Sequence, residues 1–327
     1  MAASLQLVQA HLSEHPYVAL ALQVVGALSA ASFLFSFSTF FFRTFLRPGI
    51  SLKKFGSRDG AWAVVTGASD GIGREFALQL AKAGFNVLIA ARNPEKLAAV
   101  AREIADKSSG KAEVRAFTID FAHADEATWE NFGKTIQSLD VGVLVNNVGK
   151  SHEMPTDFVE TPADEISDIL AINVNATVRV TSIVTPGLVS RRRGLILNLG
   201  SFAGSAPSPM LATYSASKAF LATFSDALAA ELGPKGIVVE HSNTYFVVSA
   251  MSKIRRPSLM IPTPAAYVRS VLAKIAPGTQ APFWTHAALA HLMNAVSTGV
   301  VVSYMHALHR DIRKRALRKK ERLAKQN

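Results

Sequence analysis

Between residues 61 and 240 the chain alternates short apolar runs with longer amphipathic segments, and this pattern restricts its fold more than any other feature. Short runs rich in Val, Ile, Leu and Ala are typical of buried strands, and longer segments with apolar residues every three or four positions are typical of helices. Alternation of the two favours right-handed crossovers and a parallel sheet covered on both faces. The sequence therefore predicts a single-domain, doubly wound α/β fold of the Rossmann type. The predicted strands are 61–66, 86–90, 114–119, 141–145, 195–199 and 237–240, all buried, and the predicted helices are 74–83, 94–107, 124–138, 163–190 and 214–232.

A glycine-rich turn, Gly67-x-x-x-Gly71-x-Gly73, follows the first predicted strand directly. Glycines allow the backbone to approach a pyrophosphate closely, and the start of the next helix offers free N–H groups and the positive end of its dipole. The alternative is a glycine-rich turn that binds nothing. The strand–turn–helix context favours a dinucleotide site, for which the candidate residues are Gly67, Ser69, Asp70, Gly71, Ile72 and Gly73.

The end of the second predicted strand indicates which dinucleotide is bound. Folds that prefer NAD place an acidic residue there to bind the ribose hydroxyls, whereas this chain has Arg92. A guanidinium suits a 2′-phosphate, so we predict NADPH over NADH, unless Arg92 is only a solvated loop charge. Asp120, after the third strand, is a candidate acceptor for the adenine amine. Asn147 and Gly149, after the fourth strand, are predicted to line the floor under the adenine ribose.

Tyr214 and Lys218 lie four residues apart at the start of a predicted helix, so their side chains share one face. A tyrosine ionises near pH ~10, and a nearby ammonium favours the phenolate. Ser201, after the fifth strand, could hydrogen-bond the same substrate oxygen, so that the group would polarise a carbonyl and protonate it as a hydride arrives. Asn173 is a polar residue in an apolar segment: either it binds a water that leads to Lys218, or it is a satisfied core asparagine.

Together these motifs resemble the short-chain dehydrogenase/reductase superfamily over about residues 60–260. The resemblance implies a catalytic tetrad in which Tyr214 is the proton donor and Ser201 orients the carbonyl. It also implies that Lys218 activates the phenol and holds the cofactor ribose, and that Asn173 anchors a water.

The loop after the sixth strand departs from the pattern of that family. Residues 243–246 are Asn-Thr-Tyr-Phe where the family usually has a proline, so a less rigid loop is expected. The resemblance implies cofactor contacts from Val247 and from Ser249, which takes the place of the threonine that holds the nicotinamide amide.

Residues 197–204 and 211–221, together with an apolar N-terminal segment, look like the microsomal very-long-chain 3-oxoacyl-CoA reductases, a group that overlaps the animal type 12 17-beta-hydroxysteroid dehydrogenases. The resemblance implies reduction of long-chain 3-oxoacyl-CoA in fatty-acid elongation, which also feeds sphingolipid synthesis. It implies an endoplasmic-reticulum location and condensing-enzyme, dehydratase and enoyl-reductase partners. The alternatives are a 17-beta-hydroxysteroid or retinoid dehydrogenase and a non-catalytic membrane scaffold.

Residues 17–42 carry no charged side chain, and as a helix they would measure about 39 Å, more than the ~30 Å hydrocarbon core of a bilayer. We predict a transmembrane helix; the alternative is a cleaved signal peptide. Five Lys and Arg residues lie between 43 and 58, which places the C-terminal part in the cytosol and residues 1–16 in the lumen. Residues 43–60 are a predicted linker and residues 61–280 the reductase domain.

The C-terminal part is a second apolar segment, 281–309, and a basic tail, 310–327, with nine Lys/Arg and two acidic residues. If the segment spanned the bilayer, the tail would lie in the lumen, against the charge rule, so we prefer an interfacial helix with the tail on anionic headgroups. The rest of the chain is mildly basic, which argues against nucleic-acid binding. No metal site is expected, because the histidines of this segment lack nearby carboxylates, and the chain has no cysteine. Lys253, Arg255 and Arg256 either meet the phosphates of CoA or form a solvated cluster.

Overall fold

The computed structural model describes residue 10 and residues 13–325, which fall into two units divided between Arg47 and Pro48. The first unit contains helix α1 (Pro16–Phe41) and a π-helical turn, Phe42–Leu46. Helix α1 buries none of its side chains, although they are apolar on all sides. The stretch Pro16–Leu46 is long and apolar enough to cross a bilayer, as predicted for residues 17–42.

The second unit is built on a seven-stranded parallel sheet in the order β3-β2-β1-β4-β5-β6-β7. This confirms the predicted doubly wound α/β fold. The order reverses direction between β1 and β4, and open parallel sheets bind their ligands in the crevice at such a switch point. The strands are β1 (Trp62–Thr66), β2 (Asn86–Ala91), β3 (Val114–Thr118), β4 (Val141–Asn146), β5 (Gly194–Leu199), β6 (Ile237–Ser242) and β7 (Gly278–Gln280).

The two edge strands differ from the sequence prediction. Strand β3 was expected to be buried, but Arg115, Ala116 and Thr118 are exposed because only β2 pairs with it. Strand β7 was not predicted: its three residues, Gly-Thr-Gln, contain no apolar run, and their pairing with β6 creates the strand.

Helices cover both faces of the sheet. One face packs on Phe76, Leu97 and Val268, and the other on Phe132 and Val180, within two clusters of buried apolar side chains. The helices of this unit are α2 (Gly71–Lys82), α3 (Pro94–Lys107), α4 (Glu126–Gln137), α5 (Ala163–Leu170), α6 (Thr177–Arg191), α7 (Ala212–Leu232), α8 (Pro264–Ala273), α9 (Trp284–Asn294) and α10 (Thr298–Ala324).

The predicted helix 163–190 is interrupted by a π-helical segment, Ala171–Ala176, between α5 and α6. An inserted residue of this kind turns the following side chains to a new direction and is frequent at functional sites. The whole stretch Ala163–Arg191 is also apolar enough to span a bilayer, but Val180, Val184 and Leu188 are buried in the protein, so we interpret it as a core helix.

Both ends of the predicted reductase domain extend further than the sequence suggested. Phe55, within the predicted linker, is fully buried, and Ile50 N–H donates to the Ile275 carbonyl at 2.9 Å. At the other end, His286 of α9 and His309 of α10 are buried. Other apolar side chains of α9 and α10 are exposed. The membrane association of residues 281–309 stays a prediction.

Candidate active site

Tyr214 and Lys218 lie in the first turns of α7, and Ser201 follows the end of β5. The Lys218 Nζ is 5.9 Å from the centre of the Tyr214 ring, and the side chains of Ser201 and Tyr214 are hydrogen-bonded to each other. The Lys218 ammonium also donates to the Leu199 carbonyl at 2.9 Å. Three of the four predicted catalytic side chains therefore meet at the carboxyl end of β5.

Burial controls the ionisation of this group. It raises the pKa of Tyr214 above its ordinary value, and the Ser201 hydrogen bond only partly opposes this effect. Desolvation of the phenolate is the larger effect, and activation of the phenol by Lys218 stays a prediction. Burial also lowers the pKa of Lys218 to about 8. At neutral pH the phenol holds its proton, as a proton donor requires.

The pKa of Lys218 predicts an alkaline limit to activity. Below pH 8 the side chain keeps the ammonium charge next to the phenol, and above pH 8 that charge is lost. For reduction, kcat/KM is expected to stay level from about pH 6 to 7.5 and then fall about tenfold per pH unit. A pH–rate profile measures this limb, and a profile that stays level to about pH 9.5 would contradict it.

Asn173 lies in the π-helical segment and is 1% exposed. Its amide oxygen accepts from the Lys150 N–H at 2.8 Å, and its amide nitrogen donates to the Lys150 carbonyl and the Ser217 hydroxyl, both at 2.9 Å. A Cβ on Gly149 would lie 3.4 Å from the Asn173 Oδ1 and 3.7 Å from the Lys218 Nζ. Asn173 thus connects the segment after β4 to α7 beside Lys218, and its role as a water anchor stays a prediction.

Gly67 and Gly73 of the glycine-rich turn are packed too tightly for a side chain. Gly67 and Gly71 have φ angles of +65° and +56°, which glycine adopts readily. A Cβ on Gly73 would lie 2.3 Å from the Gly67 carbonyl oxygen. Asn147 supports the turn from β4, because its amide donates to the carbonyls of Thr66 and Gly67 at 3.0 and 3.1 Å.

The space beside this turn is open and suits the phosphates of a dinucleotide. A cavity of about 700 Å³ opens next to Asp70 and Gly71 and is also lined by Val248 and Ser249. If Gly71 carried a Cβ, the nearest atom to it would be the Ser249 Cβ, at 3.7 Å. The backbone of Gly71 is therefore accessible to a ligand. Ser69 and Ile72 are half-buried in the same turn.

The candidate adenine-side residues lie after the neighbouring strands. Arg92 is exposed directly after β2, where a 2′-phosphate is expected. Asp120 follows β3, and one of its carboxylate oxygens accepts from the Ala122 N–H at 3.0 Å. The predicted hydrogen bond from the adenine amine would go to a lone pair of the Asp120 carboxylate that does not accept from Ala122.

Hydrogen bonds hold the loop after β6 where the family usually has a proline. The Thr244 hydroxyl contacts the Tyr267 hydroxyl at 2.5 Å and donates to the Ser242 carbonyl at 3.1 Å, and both threonine and tyrosine are buried. Val247 is buried further along, and the Ser249 hydroxyl accepts from the Ser252 N–H at 3.1 Å. These hydrogen bonds tie Thr244 to Ser242 and Tyr267, and the lower rigidity expected for the loop stays a prediction.

A buried polar network that the sequence motifs did not predict lies beneath the site. Asn146 donates to the Thr181 hydroxyl at 2.9 Å and to the Asn198 carbonyl oxygen at 2.8 Å, and Asn198 donates to Ser225 at 2.8 Å. The network joins β4 and β5 to α6 and α7, which fixes the helix that carries Tyr214. The asparagine within the apolar run 195–199 is the feature of the sequence that could have indicated this network.

Comparison with known proteins decides the family. Residues 61–259 match the family model described as short chain dehydrogenase, which covers more than half of the chain. This protein belongs to the short-chain dehydrogenase family. The predicted family is therefore confirmed, and this protein is an oxidoreductase.

Two fungal relatives resemble this short-chain dehydrogenase over almost its full length. The very-long-chain 3-oxoacyl-CoA reductase of Coprinopsis cinerea is 55% identical over 97% of this chain and 96% of its own. The protein of the same name from Laccaria bicolor is 54% identical over 95% of both chains. Among solved structures, a short-chain dehydrogenase from Sphingobium yanoikuyae in complex with NADPH is 25% identical, with a TM-score of 0.63 over 74% of this chain and 95% of that one. These likenesses support a nicotinamide cofactor.

Proposed function

We propose that this short-chain dehydrogenase reduces very-long-chain 3-oxoacyl-CoA to 3-hydroxyacyl-CoA with NADPH. The observation that carries the proposal is the likeness to the Coprinopsis cinerea reductase, which is 55% identical over 97% of the chain and so extends beyond the family domain at both ends. The arrangement of Tyr214, Ser201 and Lys218 supports it, because these groups suit protonation of a carbonyl oxygen.

The chemistry of the site follows from the protonated phenol. NADPH, when bound beside Gly71 and Ser249, supplies a hydride to the 3-oxo carbon. The Ser201 hydroxyl hydrogen-bonds the 3-oxo oxygen and holds it near Tyr214. The Tyr214 phenol gives its proton to that oxygen, which completes the 3-hydroxyl group. The Lys218 ammonium stabilises the phenolate that remains until the phenol is reprotonated.

The location that we propose is the cytosolic side of the endoplasmic-reticulum membrane. A very long acyl chain partitions into the bilayer, whereas CoA is water-soluble, so the site must stay near the interface. Helix α1 provides a candidate anchor, and the basic residues that follow it favour a cytosolic orientation. As a step of fatty-acid elongation, the reaction implies a condensing enzyme that supplies the substrate and a dehydratase and an enoyl reductase that follow.

Arg92 is expected to determine the preference for NADPH. Replacement of Arg92 with alanine removes the guanidinium from the end of β2, and the loss of one charge-assisted contact of about 1.5–3 kcal/mol would raise the KM for NADPH about 10- to 100-fold. The KM for NADH should change little. Steady-state kinetics with both cofactors measure the effect, and Arg269→Ala, an exposed arginine on α8, is the matched control. Equal changes for both cofactors would contradict a 2′-phosphate contact.

Substrate class is tested by direct comparison. Purified protein with NADPH is given either a 3-oxoacyl-CoA of 18 or more carbons or oestrone, and nicotinamide absorbance is followed. We expect turnover of the acyl-CoA. Turnover of the steroid alone would overturn the acyl-CoA assignment.

A further inference from the structure

The cavity beside the glycine-rich turn has a basic outer wall. Lys253 and Arg255 reach it from the loop after β6, and Lys319 reaches it from α10. Arg74 also lines the cavity but forms an ion pair with Glu103. Among residues 13–325, Lys253, Arg255 and Lys319 form no ion pair with a carboxylate. The wall therefore offers three basic side chains without an ion-pair partner, and Asp70 adds one carboxylate to the lining of the same cavity.

Helix α10 is fixed beside the approach to Tyr214. The buried His309 donates from Nδ1 to the Pro209 carbonyl at 2.7 Å, five residues before Tyr214 in the chain. Arg313 donates to the Pro155 carbonyl at 2.9 Å and to the Thr156 hydroxyl at 2.8 Å, in the segment that follows β4. These contacts hold the helix against two segments near the site and carry Lys319 to the cavity.

The loop after β6 is tied to the same region. The Lys253 Nζ donates to the Glu153 carbonyl at 2.7 Å, so the loop contacts the segment after β4. Lys253 has a φ of +57°, a left-handed conformation that is uncommon for residues other than glycine. Such conformations persist where surrounding contacts impose them, and they are concentrated at binding sites.

We propose that Lys253, Arg255 and Lys319 bind the phosphate groups of the nucleotide head of acyl-CoA. The inference rests on the proposed function and names the subsite for the substrate's polar end. CoA carries a pyrophosphate and a separate 3′-phosphate, and lysine and arginine bind phosphates through charge and charge-assisted hydrogen bonds. The NADPH pyrophosphate is a second phosphate source, but we expect the glycine-rich backbone of residues 67–73 to bind it, which leaves the outer wall for the substrate. Helix α10 thereby becomes part of the substrate site.

The test is Lys319→Glu, assayed with two thioesters of the same 3-oxoacyl chain in detergent micelles. One is the CoA ester, and the other is the N-acetylcysteamine ester, which has no phosphate. We expect the KM for the CoA ester to rise about tenfold, because a solvent-exposed attraction becomes a repulsion, and the increase to shrink at high salt. The KM values for the N-acetylcysteamine ester and for NADPH should not change.

Lys320→Glu is the matched control, since it makes the same charge change one residue along α10, outside the lining of the cavity. In a second measurement, adenosine 3′,5′-bisphosphate should compete with the CoA ester for the wild-type protein and lose affinity for the Lys319→Glu variant. An equal KM rise for both esters, a rise for NADPH alone, or no rise would each overturn the proposal. If the wild-type protein reduces neither ester, it is the proposed function that fails.

Discussion

Replacing Tyr214 with phenylalanine is expected to lower kcat for NADPH-dependent reduction by about 10²–10⁴-fold. The change removes one hydroxyl, and with it the proton that the carbonyl oxygen must receive. The ring stays in place over Lys218, so the dissociation constant of NADPH should change less than about threefold, a difference below 1 kcal/mol. Single-turnover kinetics measure the chemical step, and fluorescence titration measures NADPH binding.

Tyr304→Phe is the matched control for this variant. Tyr304 lies on α10 and is 66% exposed, so loss of its hydroxyl should leave kcat unchanged. The Tyr214 variant also separates an enzyme from a scaffold: an enzyme variant fails to complement a reductase-null strain, whereas a scaffold variant complements it fully. Wild-type turnover by Tyr214→Phe would exclude the phenol as the proton donor.

Replacing Gly73 with alanine is expected to weaken NADPH binding by up to about 100-fold. The new Cβ would lie 2.3 Å from the Gly67 carbonyl oxygen and 2.4 Å from the Asn147 Nδ2, and the first of these atoms belongs to the backbone and cannot rotate away. Overpacking of this kind costs about 1–3 kcal/mol, here by opening the turn that faces the phosphates. Fluorescence titration with NADPH measures the loss, with circular dichroism to verify the fold.

Gly233→Ala controls for the effect of adding a methyl group. A Cβ on Gly233 would have no atom within 4 Å among the described residues, and NADPH affinity should stay at the wild-type value. Unchanged NADPH affinity in Gly73→Ala would show that the turn is not part of the dinucleotide site.

The centre of the sheet could be predicted from the sequence because its strands are covered on both faces. Strands β1, β4 and β5 are entirely buried, and buried parallel strands read as continuous apolar runs. Pairing of Tyr214 with Lys218 was also predictable, since the helical spacing puts both on one face. The environment of the pair was not, because the burial that raises the pKa of Tyr214 comes from tertiary packing.

The edges of the fold depend on contacts that local sequence does not encode. Strand β7 exists through its pairing with β6, and the exposure of β3 follows from its position in the strand order. The position of α10 could not be predicted from the sequence for another reason. The two side chains that attach it are His309, just before the basic tail, and Arg313, within the tail. The composition of the tail indicated only an electrostatic role.

Transfer of deuterium tests the central claim most directly. NADPH that carries deuterium at both hydrogen positions of nicotinamide C4 is incubated with the protein and a very-long-chain 3-oxoacyl-CoA, and the product is analysed by mass spectrometry. We predict one deuterium at C3 of the 3-hydroxyacyl-CoA with the wild-type protein and no labelled product with Tyr214→Phe over the same time. Absence of label from the wild-type product, or equal labelling by the variant, would contradict the proposed mechanism.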